Sequence, residues 1–600
     1  MTWRMRGNID NTDNRIIDTA SPRKFSSAVL ESISPIAGLV LYPAFPPAYK
    51  ILFLPSRCLE TDHSPQHHIL SSLLPASMHL ISVVYLHWGL FLGLCGSCVV
   101  VLHFLQPPDL KWSGSTKKWT MPPWPPGLPV LGNLLQMMQA RRSAVSLNNW
   151  LASLIPYGEM VTLHMGSQTW VVLNSDRVVS ELIAKRGRIT NERPHMPVAS
   201  GLVSNGKRSV IRREREWREG RRVMHHLLSG SNLKVYAEMQ EIESVNMLRR
   251  YFREPNLWFA HNYRYSIFLL YRIVMGYPLD KTKSQLDDYQ KVTVEFVTAI
   301  NRSYVDFFPL VSKLPFFLQP WRRFWAQMGA FHYNVFQEWW KPVQAAVRNN
   351  TSSAPPSFVR DVLLHPDMRF AGDDEEAMYL AMSVIAAGGD NTRMTMNTFV
   401  MAMATRPGVQ KQARTEADRV CTHGTSLRLP RMSDLPDMPY IASMIKEVLR
   451  WRPTVPIIPP HQLTEDLSFD GQFIPASTSF LINSIALSSE FNEPNEFRPE
   501  RWMDGSEGPK TANFWAFGGG RRTCVGWKVA EQALYIAFAR LLYCFELTPN
   551  GPIDDKILNH QTVQEPFSVK FTIRSPEHAF LIEQEASKYE ASFSTLGPRA

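Results

Sequence analysis

Cysteine is scarce in this chain, and its scarcity excludes a fold that disulfide bonds hold together. Six cysteines occur among 600 residues: Cys58, Cys95, Cys98, Cys421, Cys524 and Cys544. So few thiols are typical of a reducing compartment. Cys95 and Cys98 form a CxxC pair inside the apolar run GLCGSCVVV. Two small residues that pack or face lipid explain that run better than a redox pair does.

Several sequence signatures are also missing, and each absence excludes a class of protein. Repeats, low-complexity tracts, arginine-rich tails and zinc-finger spacings do not occur, so nothing indicates a repeat fold or nucleic-acid binding. No Gly-x-Gly-x-x-Gly follows a predicted strand, and no flavin or iron–sulfur signature is present. The net charge of +10 permits an acidic partner or an anionic membrane surface.

Charge is missing from one long stretch near the N-terminus. Residues 63–108 contain no Asp, Glu, Lys or Arg, and residues 78–105 are predominantly apolar. A helix of this length crosses a bilayer with some tilt, whereas a buried helix of a soluble domain rarely runs so long without a charge. We therefore predict a single transmembrane anchor over residues 78–105. Lys111, Lys117 and Lys118 follow it, so the positive-inside rule places the large C-terminal part in the cytoplasm.

The segments on either side of the anchor differ in composition. Residues 1–77 hold nearly balanced charges and proline-broken apolar pieces, with no recognisable chemistry. We interpret them as an N-terminal extension that is either disordered or absent from the natural protein. Residues 106–135 contain the proline-rich stretch MPPWPPGLPVLGNLL, which is incompatible with a helix. This stretch is either a plain linker or a stiff hinge that orients the next domain against the membrane.

The main domain is predicted to span residues 136–585, with a C-terminal tail over residues 586–600. Its pattern is mainly helical with small β-sheets, the α+β class. Residues 160–175 alternate around Gly166 as a hairpin does. Residues 375–407 begin with acids and end at Pro407, which predicts one long buried helix. A second helix is predicted to end at Pro453, and a third to start directly after Cys524.

The stretch FGGGRRTCVG surrounds Cys524 with groups suited to chemistry. Gly518, Gly519 and Gly520 allow backbone amides to approach a flat ligand closely. Cys524 lies where a loop becomes a helix, and a helix N-terminus stabilises a thiolate. Arg522 adds a cation that is able to hold a carboxylate. From these residues alone, the thiol is a nucleophile, a redox thiol or an inert core residue.

The full spacing Phe517-x-x-Gly520-x-Arg522-x-Cys524-x-Gly526 resembles the haem-binding loop of the cytochrome P-450 family. In that family the cysteine is the axial thiolate of haem iron, which favours O–O cleavage. The resemblance implies that Cys524 ligates the iron of a haem b, that Arg522 pairs with a haem propionate and that Phe517 packs near the sulfur. It also implies that Gly520 and Gly526 bind the cofactor and that the domain has the cytochrome P-450 fold.

Further segments resemble motifs of the same family and follow in its order along the chain. Trp217-x-x-x-Arg221 resembles the helix whose Trp and Arg reach a haem propionate. Glu447-x-x-Arg450, together with Arg501 of FRPERW, resembles the ion-pair network on the family's proximal side. The resemblance covers roughly residues 110–585, which is nearly the whole chain after the predicted anchor.

The long predicted helix contains AAGGDNT, which resembles the family's oxygen-binding groove with one departure. Gly388, expected at the cofactor, and Gly389 each cost about 1 kcal/mol relative to alanine inside a helix, and the groove is the family's reason for them. Asp390 is the acid of the family's acid–alcohol pair, but Asn391 stands where the alcohol is expected and Thr392 follows. A carboxamide is no hydroxyl relay. Either Asp390 delivers protons through a water that Asn391 holds, or the enzyme rearranges an already oxidised substrate.

The resemblance implies a monooxygenase that inserts one atom of O2 into a lipophilic small molecule, as in fungal microsomal members of secondary metabolism. A haem-thiolate isomerase or dehydratase without a reductase is the alternative. A non-catalytic haem- or sterol-binding membrane protein is the third hypothesis. Because the chain has no flavin or nicotinamide site, electrons are expected from NADPH through a separate flavoprotein reductase. We expect a single-pass protein of the endoplasmic reticulum membrane with a cytoplasmic catalytic domain.

Three further features each have two interpretations. The arginines over residues 212–222 form either a reductase-docking face or an ordinary solvated face. The aromatic, proline-broken residues 304–325 form either a lid that dips into the membrane or part of the core. His461 in PPHQ either reaches a haem propionate or lies on the surface.

Overall fold

The structure is a computed structural model that describes residues 93, 96–97, 120–300, 302–349, 354–364, 370–503, 514–556, 558 and 564–593. The predicted extension over residues 1–77 lies outside these residues, as does all of the predicted anchor except Gly93, Gly96 and Ser97. Among the described residues, no helix has the length and apolarity that a membrane crossing requires.

Helices account for most of the described residues. In chain order they are α1 (Leu134–Ala140), α2 (Ala144–Ser153), α3 (Asp176–Val179), α4 (Glu214–Leu227), α5 (Asn232–Arg253), α6 (Trp258–Met275), α7 (Lys283–Ala299), α8 (Tyr304–Phe307), α9 (Trp321–Asn349), α10 (Phe358–Leu364), α11 (Asp374–Thr405), α12 (Pro407–Cys421), α13 (Pro439–Trp451), α14 (Ser484–Ser489), α15 (Trp527–Cys544) and α16 (Pro576–Phe593). The strands are β1 (Met160–Met165), β2 (Gln168–Leu173), β3 (Thr422–His423), β4 (Ser426–Leu427), β5 (His461–Gln462), β6 (Leu467–Phe469), β7 (Gln472–Ile474), β8 (Ser479–Ile482), β9 (Phe545–Pro549) and β10 (Val569–Ile573). The predicted α+β class with small sheets is confirmed.

The largest sheet in the described part has four strands in the order β1-β2-β8-β5. β1 and β2 are antiparallel, β8 is parallel to β2, and β5 is antiparallel to β8. Met165 pairs with Gln168 across a turn at Gly166, whose φ of 63° favours glycine. The predicted hairpin is therefore confirmed. The remaining described sheets are the two-stranded pairs β9–β10, β3–β4 and β6–β7.

The long helix α11 lies in the main hydrophobic core, as its sequence predicts. Asp373 caps it by accepting the N–H of Glu376 at 2.7 Å, and acids fill its first turn, where the helix dipole favours negative charge. It ends at Thr405, next to Pro407, the first residue of α12. Phe399 stacks on Phe538 of α15 with ring centroids 3.8 Å apart.

Two glycines of α11 allow it to pack closely against α6. A Cβ on Gly388 would lie 2.8 Å from Leu270, and one on Gly389 would lie 3.2 Å from Ile267. A side chain at Gly388 would require Leu270 to move, and one at Gly389 would require Ile267 to shift slightly. This close helix packing offsets the helix-propensity cost of both glycines. It is a second reason for them beside the oxygen-binding groove that the resemblance implies.

The folded domain extends past its predicted boundaries, residues 136 and 585, at both ends. Thr162 of β1 donates its N–H to Pro123 O (2.9 Å) and its hydroxyl to Pro122 O (2.8 Å), so the proline-rich stretch packs on the sheet. At the other end, α16 continues to Phe593, past the predicted boundary at residue 585. Ile582 and Ala586 of α16 are fully buried, which explains why the helix continues there.

Candidate active site

The loop before α15 bends tightly around Cys524. Gly518 and Gly520 have φ values of 75° and 59°, and a Cβ on Gly520 would collide with the carbonyl oxygen of Ile183. The N–H of Cys524 donates to Phe517 O at 2.8 Å, which closes the loop. α15 begins only at Trp527, so the expectation of a helix directly after Cys524 was wrong by two residues.

Cys524 has an open surface although its thiol is closely surrounded by neighbouring groups. The residue is accessible on its surface, yet burial among neighbouring groups raises the pKa of its thiol. The N–H of Gly526 donates to the sulfur and Arg221 lies nearby, and both effects lower that pKa. The other described cysteines, Cys421 and Cys544, are fully buried in the core. Cys524 is therefore the described thiol that is placed to bind a ligand.

Arg522 is held beside the thiol with one donor unused. Its Nε donates to Asn191 O and its Nη1 to Arg212 O, both at 3.0 Å, and its guanidinium lies 4.0 Å over the ring of Trp217. Its Nη2 is buried and has no hydrogen-bond partner among the residues that the structure describes. Burial lowers the pKa of Arg522 to about 10, although Glu192 and Glu214 favour its charged form. An anion at Nη2 would satisfy this donor.

Arg221 adds a second unsatisfied cation on α4. Among the described residues it has no hydrogen bond or ion pair, and its guanidinium lies 5.6 Å from the ring of Trp217, four residues earlier. Burial lowers the pKa of Arg221, whereas the nearby Cys524 thiol raises it. The structure thus brings the two predicted residues of α4 together with Arg522 and Cys524.

His461 is buried and not a surface residue. Its Nδ1 lies 3.0 Å from Thr190 O, and burial, with Arg193 second, holds its pKa well below the usual range. Arg193 donates to the carbonyls of Val210, Pro459 and Pro460 and so fixes the loop before β5. The role of His461 at a propionate stays a prediction. Sequence reasoning missed Arg193, because no motif marks it.

One face of α11 is open. Ala387 and Asn391 are exposed although α11 is otherwise largely buried, and residues four apart share a helix face. Asn391 donates its Nδ2 to Ala387 O at 2.9 Å. Its Oδ1 is then available as an acceptor on this open face.

The neighbours of Asn391 do not share its exposure. Asp390 Oδ1 accepts from Nη2 (2.7 Å) and Nε (3.0 Å) of Arg393, which is 1% exposed. Thr392 is buried, and Gly388 packs against α6. The structure therefore brings only Asn391 of the four predicted groove residues to the open face, and it places the acid in an ion pair that sequence reasoning missed.

The predicted ionic network is fully assembled. Arg450 donates to Glu447 at 2.8 and 2.9 Å, and the Nε of Arg501 lies 3.2 Å from Glu447 Oε1. All three residues are at most 3% exposed. Trp502 also donates to Glu447 at 2.9 Å, and Arg450 donates to the carbonyls of Pro494 and Glu496. The network thus fastens α13 to the chain before the Cys524 loop.

These residues fit a haem. An exposed thiol that accepts a backbone N–H is suited to ligate a metal ion. The unused donor of Arg522 and the unpaired Arg221 lie on the thiol side, where two propionates require cations.

The cytochrome P-450 family model matches residues 122–572 of this chain. The chain belongs to the cytochrome P-450 family. The monooxygenase fogE of Aspergillus ruber is 30% identical over 496 residues, which cover 78% of this chain and 89% of fogE. Cytochrome P-450 monooxygenase 58 of Postia placenta is 30% identical and covers 75% of this chain and 86% of its own. A zebrafish cytochrome P-450, solved with abiraterone, has a TM-score of 0.55 at 21% identity and covers 72% of this chain and 99% of its own.

These comparisons confirm the predicted family, fold and enzyme class. The chain is a haem-thiolate monooxygenase of the cytochrome P-450 type, and the isomerase and non-catalytic hypotheses are not favoured. Membership also implies a haem whose iron is ligated by a cysteine thiolate. The zebrafish structure supports the fold alone.

Proposed function

We propose that this enzyme oxidises a lipophilic small molecule of fungal secondary metabolism, by hydroxylation or a related insertion of one oxygen atom from O2. The observation that carries the proposal is the exposed Cys524 thiol with Arg221 and the unused donor of Arg522 near it. We propose that the haem lies between this thiol and the open Ala387–Asn391 face of α11, in the active-site cavity. The named relatives are fungal monooxygenases, which supports the same class of reaction.

The thiol wall is suited to hold the cofactor. Cys524 would ligate the iron, and the N–H of Gly526 would keep the sulfur oriented and moderate its charge. Arg522 and Arg221 would hold the propionates, and both guanidinium groups lie near the ring of Trp217. When bound, the haem supplies the metal centre at which dioxygen is activated.

The helix wall is suited to handle protons. Asn391 gives its amide N–H to Ala387 O, so Oδ1 is the group that remains to hold a water in the cavity. Asp390 is the adjacent acid, and Arg393 fixes its carboxylate. We propose that Asn391 orients this water without being a relay itself, and that Asp390 takes up a proton from solvent and passes it to the water when its pair with Arg393 opens.

The surface supports the proposed membrane setting. Leu310, Phe316 and Phe317 are 74%, 77% and 81% exposed, so the segment over residues 304–325 presents an apolar outer face. We define this segment as the lid. An endoplasmic reticulum location with the anchor over residues 78–105 would hold this face at the bilayer, where a lipophilic substrate is concentrated.

Electron delivery from NADPH through a separate flavoprotein reductase also belongs to the proposal. The arginines over residues 212–222 support it weakly, because four of them already have acidic neighbours: Arg212 with Glu376, Arg213 with Glu192, Arg218 with Glu214 and Arg222 with Glu219. A reductase would have to compete with these pairs, so we expect a modest salt dependence of the electron-transfer rate.

Two measurements test the proposed function. The reduced protein is expected to show a thiolate-type carbon monoxide difference band, and turnover is expected to place one atom of labelled dioxygen in the product. A band without label in the product would overturn oxygen insertion and favour the isomerase. Absence of the band in correctly folded, haem-supplied protein would overturn the haem-thiolate site.

A further inference from the structure

A strip of four consecutive residues, 190–193, contacts the segments that carry the residues expected at the haem propionates. Asn191 O accepts from Nε of Arg522 at 3.0 Å. Thr190 O lies 3.0 Å from Nδ1 of His461. The backbone of the strip thus holds an arginine and a histidine that come from two distant parts of the chain.

Glu192, within this strip, fixes the start of α4. Its Oε1 accepts the N–H of Glu214, the first residue of α4, and the N–H of Arg193, both at 2.8 Å. A carboxylate at a helix N-terminus satisfies a free N–H and interacts favourably with the helix dipole. Among the described residues, the side chain of the N-cap residue Arg213 makes no capping hydrogen bond, so Glu192 acts as the cap. It therefore helps to place Arg221, which α4 carries.

The backbone of Glu192 is held independently of its side chain. Its carbonyl oxygen accepts the N–H of Gln462 in β5 at 2.8 Å. The next residue, Arg193, donates to the carbonyls of Pro459 and Pro460 just before β5. A substitution at residue 192 leaves the groups of these contacts in place, so its effects come from the cap on α4 and from the lost charge.

The charge of Glu192 lies among buried cations. Arg193 is 4% exposed, and neither Arg193 nor Arg522 forms an ion pair with a carboxylate among the described residues. Burial and then repulsion from Arg522 lower the pKa of Arg193, and the charge of Glu192 opposes both effects. The nearest cation to Glu192 Oε1 is Nε of Arg213 at 3.7 Å, but that side chain is 57% exposed and solvent weakens the pair. The negative charge of Glu192 therefore remains effective toward the proposed haem site.

We propose that Glu192 is a positioning residue for the haem, which holds Arg221 in place through α4 and whose negative charge makes the iron harder to reduce. The inference rests on the placement of the haem given under the proposed function. Reduction of the ferric haem adds one electron, and an anion held next to the propionate arginines disfavours the added negative charge. Glu192 thus helps to keep the resting haem oxidised until an electron is delivered.

A redox titration of the haem-bound enzyme with dithionite and dye mediators tests the effect of the charge. Glu192→Gln keeps an acceptor for the N–H of Glu214 but removes the charge, so we expect the equilibrium constant for one-electron reduction to rise at least about threefold. Glu416→Gln is the matched control, since Glu416 accepts the N–H groups of Tyr440 and Ile441, each at 2.9 Å, at the start of α13. It should leave the constant nearly unchanged. No rise in Glu192→Gln, or an equal rise in both variants, would overturn the proposal.

Transfer of haem to apomyoglobin tests the positioning of α4. Glu192→Ala removes the acceptor as well as the charge, so its haem loss is expected to be about fivefold faster than that of Glu192→Gln, the effect of losing one helix cap. The amide of Glu214 should also exchange with deuterium about tenfold faster in Glu192→Ala than in the parent. Equal haem loss in the two variants would show that Glu192 does not position α4.

The two variants keep the test decisive if one of them fails to bind haem. If Glu192→Ala retains no haem, the redox titration of Glu192→Gln alone decides the proposal. Neither measurement needs substrate or reductase, so a failed monooxygenase assay would not affect them. Absence of the thiolate-type band in the parent would instead overturn the proposed haem site itself.

Discussion

The two sides of the proposed haem site, the thiol wall at Cys524 and the distal wall at α11 and the lid, are constrained in different ways. On the thiol side, Cys524 lies in a loop fixed by glycines, and the nearby Glu447 accepts from two buried arginines and an indole. On the distal side, Asn391 lies on an open face of α11. The lid is held by the buried Val305 and Phe307 and by Asp306, which has no cation among the described residues. The rigid wall suits a metal ligand, whose geometry must not change. The looser wall suits substrate access and proton delivery, which both require motion.

Replacing the thiol breaks the rigid wall and has the largest expected effect. Cys524→Ala is expected to abolish the carbon monoxide band and all turnover, because the other described thiols are buried in the core. Cys421→Ala is the control, since Cys421 is buried in the core and should keep the band at some cost in stability. The assignment fails if the Cys524→Ala protein keeps a thiolate-type band.

Removing the central carboxylate tests whether the thiol wall depends on its buried network. Glu447→Gln leaves Arg450 and Arg501 buried with a neutral partner, so we expect a loss of about 3–5 kcal/mol in the free energy of unfolding. The matched control is Asp287→Asn, which removes an exposed pair with Lys283 and should cost less than about 0.5 kcal/mol. Urea unfolding of both variants measures the difference. Equal losses would show that the network has no special structural role.

The thiol wall could be predicted from the sequence because its residues are close together in the chain and have fixed spacing. Phe517 to Gly526 form one loop, and Glu447 and Arg450 share one helix face. Local spacing of this kind determines geometry before any tertiary contact is known. The hairpin at Gly166 and the helix α11 were predictable for the same reason. The spacing of apolar residues and the position of a glycine or proline are local signals.

The distal wall could not be predicted as well, because its contacts join distant residues. Nothing local pairs Asp306 with Val198, which is 108 residues away. The reason for Gly388 also lies on another helix, at Leu270 of α6. The pairing of Asp390 with Arg393 is local, but the AAGGDNT motif includes the acid and ends before the arginine.

Asp306, unlike Glu447, has no cation among its described partners, and the pH dependence of stability tests this difference. Burial raises the pKa of Asp306 from 3.8 to about 6 in the folded state, so folding favours its protonated form. The resulting stability is fully present below pH 3.8 and is lost as pH rises through about 6. Lowering the pH from 7.5 to 5 should therefore stabilise the parent relative to Asp306→Asn by about 1.4 kcal/mol.

Thermal or urea unfolding of the parent and of Asp306→Asn at several pH values measures this difference. The comparison cancels the carboxylates that both proteins share, so the sign of the remaining trend belongs to Asp306. The causes of its shift are burial and the N–H groups of Val198 and Ala199, with no charged side chain among them. If the parent loses stability relative to Asp306→Asn on acidification, the Asp306 carboxylate is not buried without a counter-charge.

The smallest effect is expected where the distal wall departs from the family pattern. Asn391→Thr restores a hydroxyl beside Asp390, which stays paired with Arg393. We expect the product formed per NADPH consumed to rise about two- to fivefold, about 0.5–1 kcal/mol in barrier terms, because a hydroxyl both donates and accepts whereas Asn391 has given one N–H to Ala387 O. Asn391→Ala, which holds no water, should lower the same ratio and raise hydrogen peroxide release. If Asn391→Ala instead matched the parent and Asn391→Thr fell below it, Asn391 would have no part in proton delivery, and the open face of α11 would serve substrate fit alone.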